Sequence, residues 1–279
     1  MMFLNLAFYK FVDLKDPEAL QTRVREFCEQ SCRTLRGTVL LGYEGINCFI
    51  AAIEPEAEKF MTFLGEYPEF QNLPVKRSWS TGSVPYSRLL VKVKKEIIPI
   101  GIESVKPHVE TGPRIAPEEL KGWYDSGKDF AILDTRNGFE VDIGTFEGAI
   151  DLRLKNFREF TKKLDLLPEE TRKKPLVMFC TGGIRCEKAT ALAMQKGFSE
   201  VYQLDGGILN YFDKCGPSHF KGDCFVFDKR VALNGELKPS GHTLCFKCRE
   251  VKWFETSPLA PTAPAPVDHS KATCPRCGG

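Results

Sequence analysis

The apolar positions fall into two rhythms. Residues 3–12 alternate loosely and read as a strand, and Asp16-Pro17-Glu18 then opens a helix expected to run to about Leu35. Residues 37–41 and 46–52 read as two further strands, joined by the hairpin chemistry of Gly42-Tyr43-Glu44-Gly45. Glu54-Pro55 starts a second helix through Leu64, and residues 75–79 supply another strand. The order β-α-β-β-α-β is the split βαβ, ferredoxin-like (acylphosphatase-like) pattern, a fold that names no function by itself.

Beyond Gly112-Pro113 the rhythm changes to short, fully apolar runs separated by helical segments. Residues 130–133 end in Asp134-Thr135-Arg136, residues 175–179 end in Cys180, and residues 201–204 end in Asp205-Gly206-Gly207. Helical spacing appears after Ala116-Pro117-Glu118, around residues 156–163 and over residues 187–196. Strands alternating with helices imply a parallel sheet wrapped by helices, with reactive groups at the carboxyl ends of its strands. The expected fold class is α/β, with a ferredoxin-like domain at 1–98, a linker at 99–112, a parallel-sheet domain at 113–214 and a Cys-rich tail at 215–279.

The candidate chemistry sits between an apolar strand and an alanine-rich helix. Cys180 opens a loop made of Thr181, Gly182, Gly183 and Ile184, and Arg185 closes it. Backbone amides and the helix N-terminus converge on one point there, and both they and Arg185 favour a thiolate. Burial as an inert structural thiol is the alternative fate of Cys180. Cys186 follows at once, either to resolve an oxidised or persulfidated Cys180 or simply to pack. Asp134 and Arg136 are expected to pair and support the pocket floor.

Composition narrows the partners. The net charge of +2 over 279 residues gives no global signal for nucleic acid. Locally, residues 74–110 hold Lys76, Arg77, Arg88, Lys92, Lys94, Lys95 and Lys106 against three glutamates. Lys92 and Lys94 share one strand face opposite Val91 and Val93. This basic face, with Arg88 and Lys95, is either solvated or a phosphate-backbone contact. No apolar run approaches the roughly 20 residues of a membrane span, and the N-terminus lacks a secretory pattern. Eleven cysteines in such a chain point to a reducing cytoplasm, with thiols serving catalysis and metal binding.

In the tail, Cys245, Cys248, Cys274 and Cys277 form two C-x-x-C knuckles that together suit one tetrahedral structural zinc. The 25 residues between them include a proline-rich stretch, and lengthening a loop costs little closure entropy. Cys215, His219 and Cys224 form a looser set, expected to pack rather than bind metal.

Leu133-Asp134-Thr135-Arg136, Gly144-Thr145-Phe146-Glu147-Gly148-Ala149-Ile150, the Cys180 loop and Leu204-Asp205-Gly206-Gly207-Ile208 resemble the successive motifs of a rhodanese domain. Cysteine, four residues and then arginine resembles the sulfur-handling loop, the related phosphatase loops being one residue longer. Thr145-Phe146 departs from the histidine-isoleucine pair of many rhodaneses, in a segment that usually packs structurally. The phrase from Cys180 to Lys188, with Glu44-Gly45-Ile46-Asn47, Val91-Lys92-Val93-Lys94-Lys95-Glu96-Ile97 and Phe225-Val226-Phe227-Asp228, resembles the rhodanese-domain tRNA uridine hydroxylases. That resemblance implies oxygen-dependent 5-hydroxylation of the wobble uridine, with Cys180 required, molecular oxygen as co-substrate and Glu44 near the uracil edge. It implies that the first domain and tail grip the anticodon arm of tRNA.

Other readings stay open. Residue chemistry alone favours a rhodanese-type sulfurtransferase working through a Cys180 persulfide, and a third possibility is a non-catalytic RNA-binding or zinc scaffold. No G-x-G-x-x-G loop follows a strand, and the four histidines make no obvious two-His-one-carboxylate iron site, so the sequence names no oxygen-activating cofactor.

Overall fold

Asp16 sets the first helix. In the computed structural model, which describes residues 1–82, 84–244 and 251–252, its Oδ1 accepts the Ala19 N–H at 2.8 Å. Helix α1 (Pro17–Ser31) follows strand β1 (Met2–Phe11) and buries Leu20, Val24 and Cys28. It stops short of Leu35 because Thr34 has a tertiary partner. The Thr34 N–H and hydroxyl both bond Glu56 Oε2, each at 2.7 Å, and pull the chain off the helix axis.

Strands β2 (Arg36–Gly42) and β3 (Gly45–Ala52) form the expected hairpin, followed by α2 (Glu54–Gly65), β4 (Lys76–Thr81) and β5 (Leu89–Val93). The sheet order is β4-β1-β3-β2-β5, with β5 added in parallel to β2 as an edge strand. Leu4, Leu6, Val24, Val39, Ile50 and Phe60 belong to the core of this unit. Glu44 in the hairpin accepts the Ile97 N–H at 2.6 Å and so anchors the turn after β5.

The chain divides into two compact units between Glu110 and Thr111, within the stretch read as a linker. In the second unit, β6 (Arg114–Ile115), α3 (Pro117–Asp125), β7 (Ala131–Asp134), α4 (Gly138–Val141), β8 (Gly144–Phe146) and β9 (Ile150–Asp151) come first. The helical pattern around 156–163 becomes a 3₁₀ turn, Phe157–Glu159, leading into α5 (Phe160–Leu164) and then α6 (Glu169–Arg172). Next come β10 (Leu176–Phe179), α7 (Ile184–Gln195), β11 (Val201–Leu204) and α8 (Gly207–Cys215). The sheet order is β6-β11-β10-β7-β9, all parallel, which places β10 at the centre with all four residues buried.

Thr145-Phe146 serves packing. Phe146 is 1% exposed and meets Phe179, Tyr211 and Phe220 edge to face at 4.7–5.1 Å. The chain after α8 folds back: β12 (Phe220–Gly222) pairs with β8, and β13 (Cys224–Phe225) pairs with β14 (Ala232–Leu233). His219 stacks on Tyr124 at 4.6 Å and bonds Asp125 at 2.8 Å, while Cys224 is fully buried. Among the described residues no group of three or more metal-ligating side chains converges, and no helix is long and apolar enough to cross a membrane. Cys245, Cys248, Cys274 and Cys277 lie outside the described residues.

Candidate active site

Cys180 leaves the end of the central strand and is 1% exposed. Its sulfur accepts the Gly183 N–H at 3.1 Å, and the Arg185 and Gly182 amides also bond it. Gly183 makes this possible at φ +102°, in the region a side chain disfavours, immediately before the first turn of α7. Burial by itself would raise the Cys180 pKa. The Cys186 thiol, the Arg185 charge and the two amides outweigh it and bring the group from 9.0 down to about 5. The other cysteines with a resolved shift move the opposite way: burial pushes Cys28 to about 12, Cys32 to about 11 and Cys224 to about 12.

A second helix holds the loop from behind. The first amides of α8 donate to the loop carbonyls, Ile208 N–H to Cys180 O at 2.9 Å and Leu209 N–H to Thr181 O at 3.2 Å. Gly207 has φ +68°, and a Cβ there would lie 2.4 Å from Cys180 O. The glycine pair after β11 is thus a backbone clamp. Asp205 is not brought into the site; it is exposed and lies 3.6 Å from Arg114.

The Arg185 guanidinium grips Glu140. Its two terminal nitrogens donate to Glu140 Oε1 and Oε2 at 2.6 and 2.8 Å, and Nη2 lies 3.5 Å from Thr181 Oγ1. Glu140 is 0% exposed, and burial would raise its pKa; the Arg185 pair more than offsets this and keeps it ionised. Arg185 therefore acts on Cys180 through its charge and its own backbone N–H.

Asp134 and Arg136 form the floor. Both side chains are fully buried, bonded Nε to Oδ1 at 2.9 Å and Nη2 to Oδ2 at 2.6 Å, with Nη2 also donating to Gly144 O at 2.6 Å. Thr145 Oγ1 adds a bond to Asp134 Oδ2 at 2.8 Å. Cys186 is fully buried, its thiol bonded to the Cys180 sulfur and 3.7 Å from Thr135 Oγ1. Burial and the Cys180 charge push its pKa well up, so the pair holds one thiolate and one thiol.

The predicted basic residues all lie in the first unit. Arg88, Lys92 and Lys94 are exposed, and Lys95 pairs with Glu103 at 2.5 Å. A cleft of about 570 Å³ beside β5 is lined by Lys92 with Arg25, Arg33, Arg36 and Glu29. The three arginines, from α1, the turn after it and the start of β2, were not singled out from the sequence because they reach Lys92 only in the fold.

Two family models match the chain, the UPF0176 acylphosphatase-like domain over residues 3–97 and the rhodanese-like domain over residues 116–214. A curated protein of Cupriavidus necator named tRNA uridine(34) hydroxylase is 43% identical over 100% of this chain and 98% of its own length. A relative of the same name from Burkholderia lata is 42% identical over 99% of this chain and 98% of its own. The chain belongs to the tRNA uridine(34) hydroxylase family. A rhodanese-like domain of the Anabaena protein Alr3790 is 22% identical, with a TM-score of 0.33, and covers 40% of this chain and 80% of that one.

Within this hydroxylase family member, Glu140 is the site residue that sequence reading missed. The available signal was Asn137-x-x-Glu140 straight after the Asp134-Thr135-Arg136 strand end: Glu140 Oε1 also accepts the Asn137 N–H at 3.1 Å and closes the first turn of α4. Phe225 stands in the sequence only as part of the Phe225-Val226-Phe227-Asp228 motif, with no role at the loop. Its carbonyl accepts from Thr181 Oγ1 at 3.4 Å, so β13 forms a wall of the Cys180 loop.

Proposed function

We propose that the chain is a tRNA-modifying enzyme that hydroxylates carbon 5 of uridine 34, with Cys180 as its nucleophile. Identity of 41–43% across the whole chain to relatives named for that activity carries the reading. The lowered Cys180 thiol, held by amides at the α7 N-terminus, supports the nucleophile.

In this mechanism the Cys180 thiolate adds to carbon 6 of uracil, and the carbon 5–carbon 6 π pair moves onto carbon 5 and its conjugated carbonyl. Carbon 5 then gains the hydroxyl oxygen. Loss of its proton to water re-forms the double bond and expels Cys180 as thiolate. Molecular oxygen is the co-substrate: its O–O bond breaks, one atom enters uracil and the other leaves as water, and an external dithiol oxidised to its disulfide supplies the two electrons and two protons. Cys186 remains protonated beside the sulfur and limits its basicity. Arg185, fixed by Glu140, keeps the field at the loop positive. Asp134, Arg136 and the loop residues Thr181, Gly182, Gly183 and Ile184 hold the cradle in shape.

Exposed Arg88, Lys92 and Lys94, together with the arginine-lined cleft, supply phosphate contacts to the anticodon arm in this reading. Structural zinc on the four knuckle cysteines and a cytoplasmic setting belong to the same proposal; metal analysis of the purified protein checks the zinc. The deciding experiment is nucleoside mass spectrometry of tRNA from a deletion strain. 5-Hydroxyuridine derivatives should disappear and return with wild type but not with Cys180→Ala. Loss of thiolated nucleosides instead would move the assignment to sulfur transfer.

A further inference from the structure

Three phenylalanines from two distant segments meet beside the loop. Phe139 on α4 and Phe227 just after β13 each stand edge-on to Phe225, at ring separations of 5.2 and 5.0 Å and angles of 89° and 86°. Phe225 is 5% exposed, but Phe139 and Phe227 are 44% and 61% exposed. A lone exposed phenyl needs no explanation, since much of any protein surface is apolar. Two that share one buried anchor, next to a reactive cysteine, call for one.

Their surroundings fix them in place. Phe139 directly precedes Glu140, which holds Arg185. The Phe225 carbonyl holds Thr181. The turn carrying Phe227 is closed by Val226 N–H to Val231 O at 2.8 Å and Val231 N–H to Asp228 O at 3.1 Å. Within it Arg230 clasps Asp228 through Nε and Nη2 at 2.9 and 2.5 Å. The exposed ring therefore rides on a braced turn. On the loop itself, Thr181 and Gly182 are partly exposed, and a Cβ on Gly182 would meet no atom within 4 Å. Gly182 therefore presents an open edge of the loop, and Phe225, the anchor of the two exposed rings, adjoins the loop at Thr181.

We propose that Phe139 and Phe227, set on Phe225, form a stacking platform for the nucleobase that flanks the target uridine in the tRNA single strand. This rests on the tRNA reading above. Single-stranded RNA is gripped by splaying its bases onto aromatic faces, a contact that tolerates sequence. The flanking base is the occupant because the exposed rings adjoin the loop through Phe225, whose carbonyl accepts from Thr181, whereas the uracil has to meet the Cys180 sulfur itself. The platform residues are positioning residues: they seat the strand and touch none of the reacting atoms.

The test uses the full chain, with Phe227→Leu, the Phe139→Leu/Phe227→Leu double variant, and Phe227→Tyr as the conservative rescue. Two readouts are taken, KM for 5-hydroxyuridine formation on tRNA and the Kd of a fluorescein-labelled anticodon stem-loop by anisotropy. The double variant should raise both roughly fivefold to 140-fold, the range set by stacking energies of about 1–3 kcal/mol per base at about 1.4 kcal/mol per tenfold. Phe227→Leu alone should show a smaller rise, and Phe227→Tyr should stay within about twofold of wild type. Melting temperature and the Cys180 titration should not move. Wild-type KM and Kd in the double variant overturn the platform, and so does a loss in Phe227→Tyr equal to that in Phe227→Leu. A wild type that adds no oxygen to uridine overturns the hydroxylase reading instead, and the platform is then judged on the stem-loop Kd alone.

Discussion

Replacing Cys186 by alanine should weaken Cys180 as a nucleophile without touching it. In the structure the Cys180 pKa falls from 9.0 to about 5, which at about 1.4 kcal/mol per pH unit corresponds to roughly 5 kcal/mol favouring the folded-state thiolate. The Cys186 thiol is the strongest of the groups lowering it. A hydrogen bond to a charged acceptor contributes about 1.5–3 kcal/mol, so Cys186→Ala should raise the Cys180 pKa by about one to two pH units. The assay is the thiolate absorbance at 240 nm, titrated as the difference between each protein and its Cys180→Ser counterpart, which needs no reagent to enter the site. Since the folded value lies below the unfolded one, the thiolate stabilises the fold fully above about pH 9, and that gain is lost as the pH falls through about 5. Wild type should therefore lose more stability than Cys180→Ser on acidification across that window. A Cys180 that titrates near 9 in wild type, or the same value with and without Cys186, refutes the reasoning.

Glu140→Gln should destabilise the second unit by about 3–5 kcal/mol, because Arg185 is left charged and buried without its partner; thermal melting measures it. Gly207→Ala should abolish activity and lower the melting temperature, since a Cβ there lands 2.4 Å from the Cys180 carbonyl in a backbone region that already disfavours alanine. A fully active Gly207→Ala would show that the clamp on the loop is dispensable. For the basic face, Lys92→Ala and Lys94→Ala should each weaken tRNA binding uniformly across tRNAs and reduce the slope of log Kd against log salt by about one. An unchanged slope would remove those lysines from the interface.

The Cys180 loop was legible because every local signal agreed on it: an apolar strand, two glycines, and an alanine-rich helix behind Arg185. The first four strands were legible for the same reason, period-two patterning with turn residues between. What escaped was the long-range pairing. Nothing along the chain links Glu140 to Arg185, 45 residues on, because a buried ion pair has no period. Helix α1 ends early through the contact of Thr34 with Glu56, again invisible to helix propensity. The tail was read for its knuckles, yet its first strands proved to build the site: β12 extends β8, and β13 supplies the wall at Thr181. Thr145-Phe146, a departure from many rhodaneses, makes sense only in the fold, where the hydroxyl steadies Asp134 and the ring fills the core.

The grip of Glu140 on Arg185 has a consequence for what the loop attracts. A guanidinium free at the end of a cysteine loop would draw phosphate, and a tRNA strand is the densest source of phosphate this enzyme meets. Here both terminal nitrogens are already committed to a carboxylate. A phosphate therefore meets a guanidinium already engaged by Glu140, and inorganic phosphate should be a poor inhibitor. An uncharged uracil edge loses nothing by that arrangement. On the proposed function, Glu140 thereby withholds the guanidinium from the charged part of the substrate and leaves the loop amides to the Cys180 sulfur.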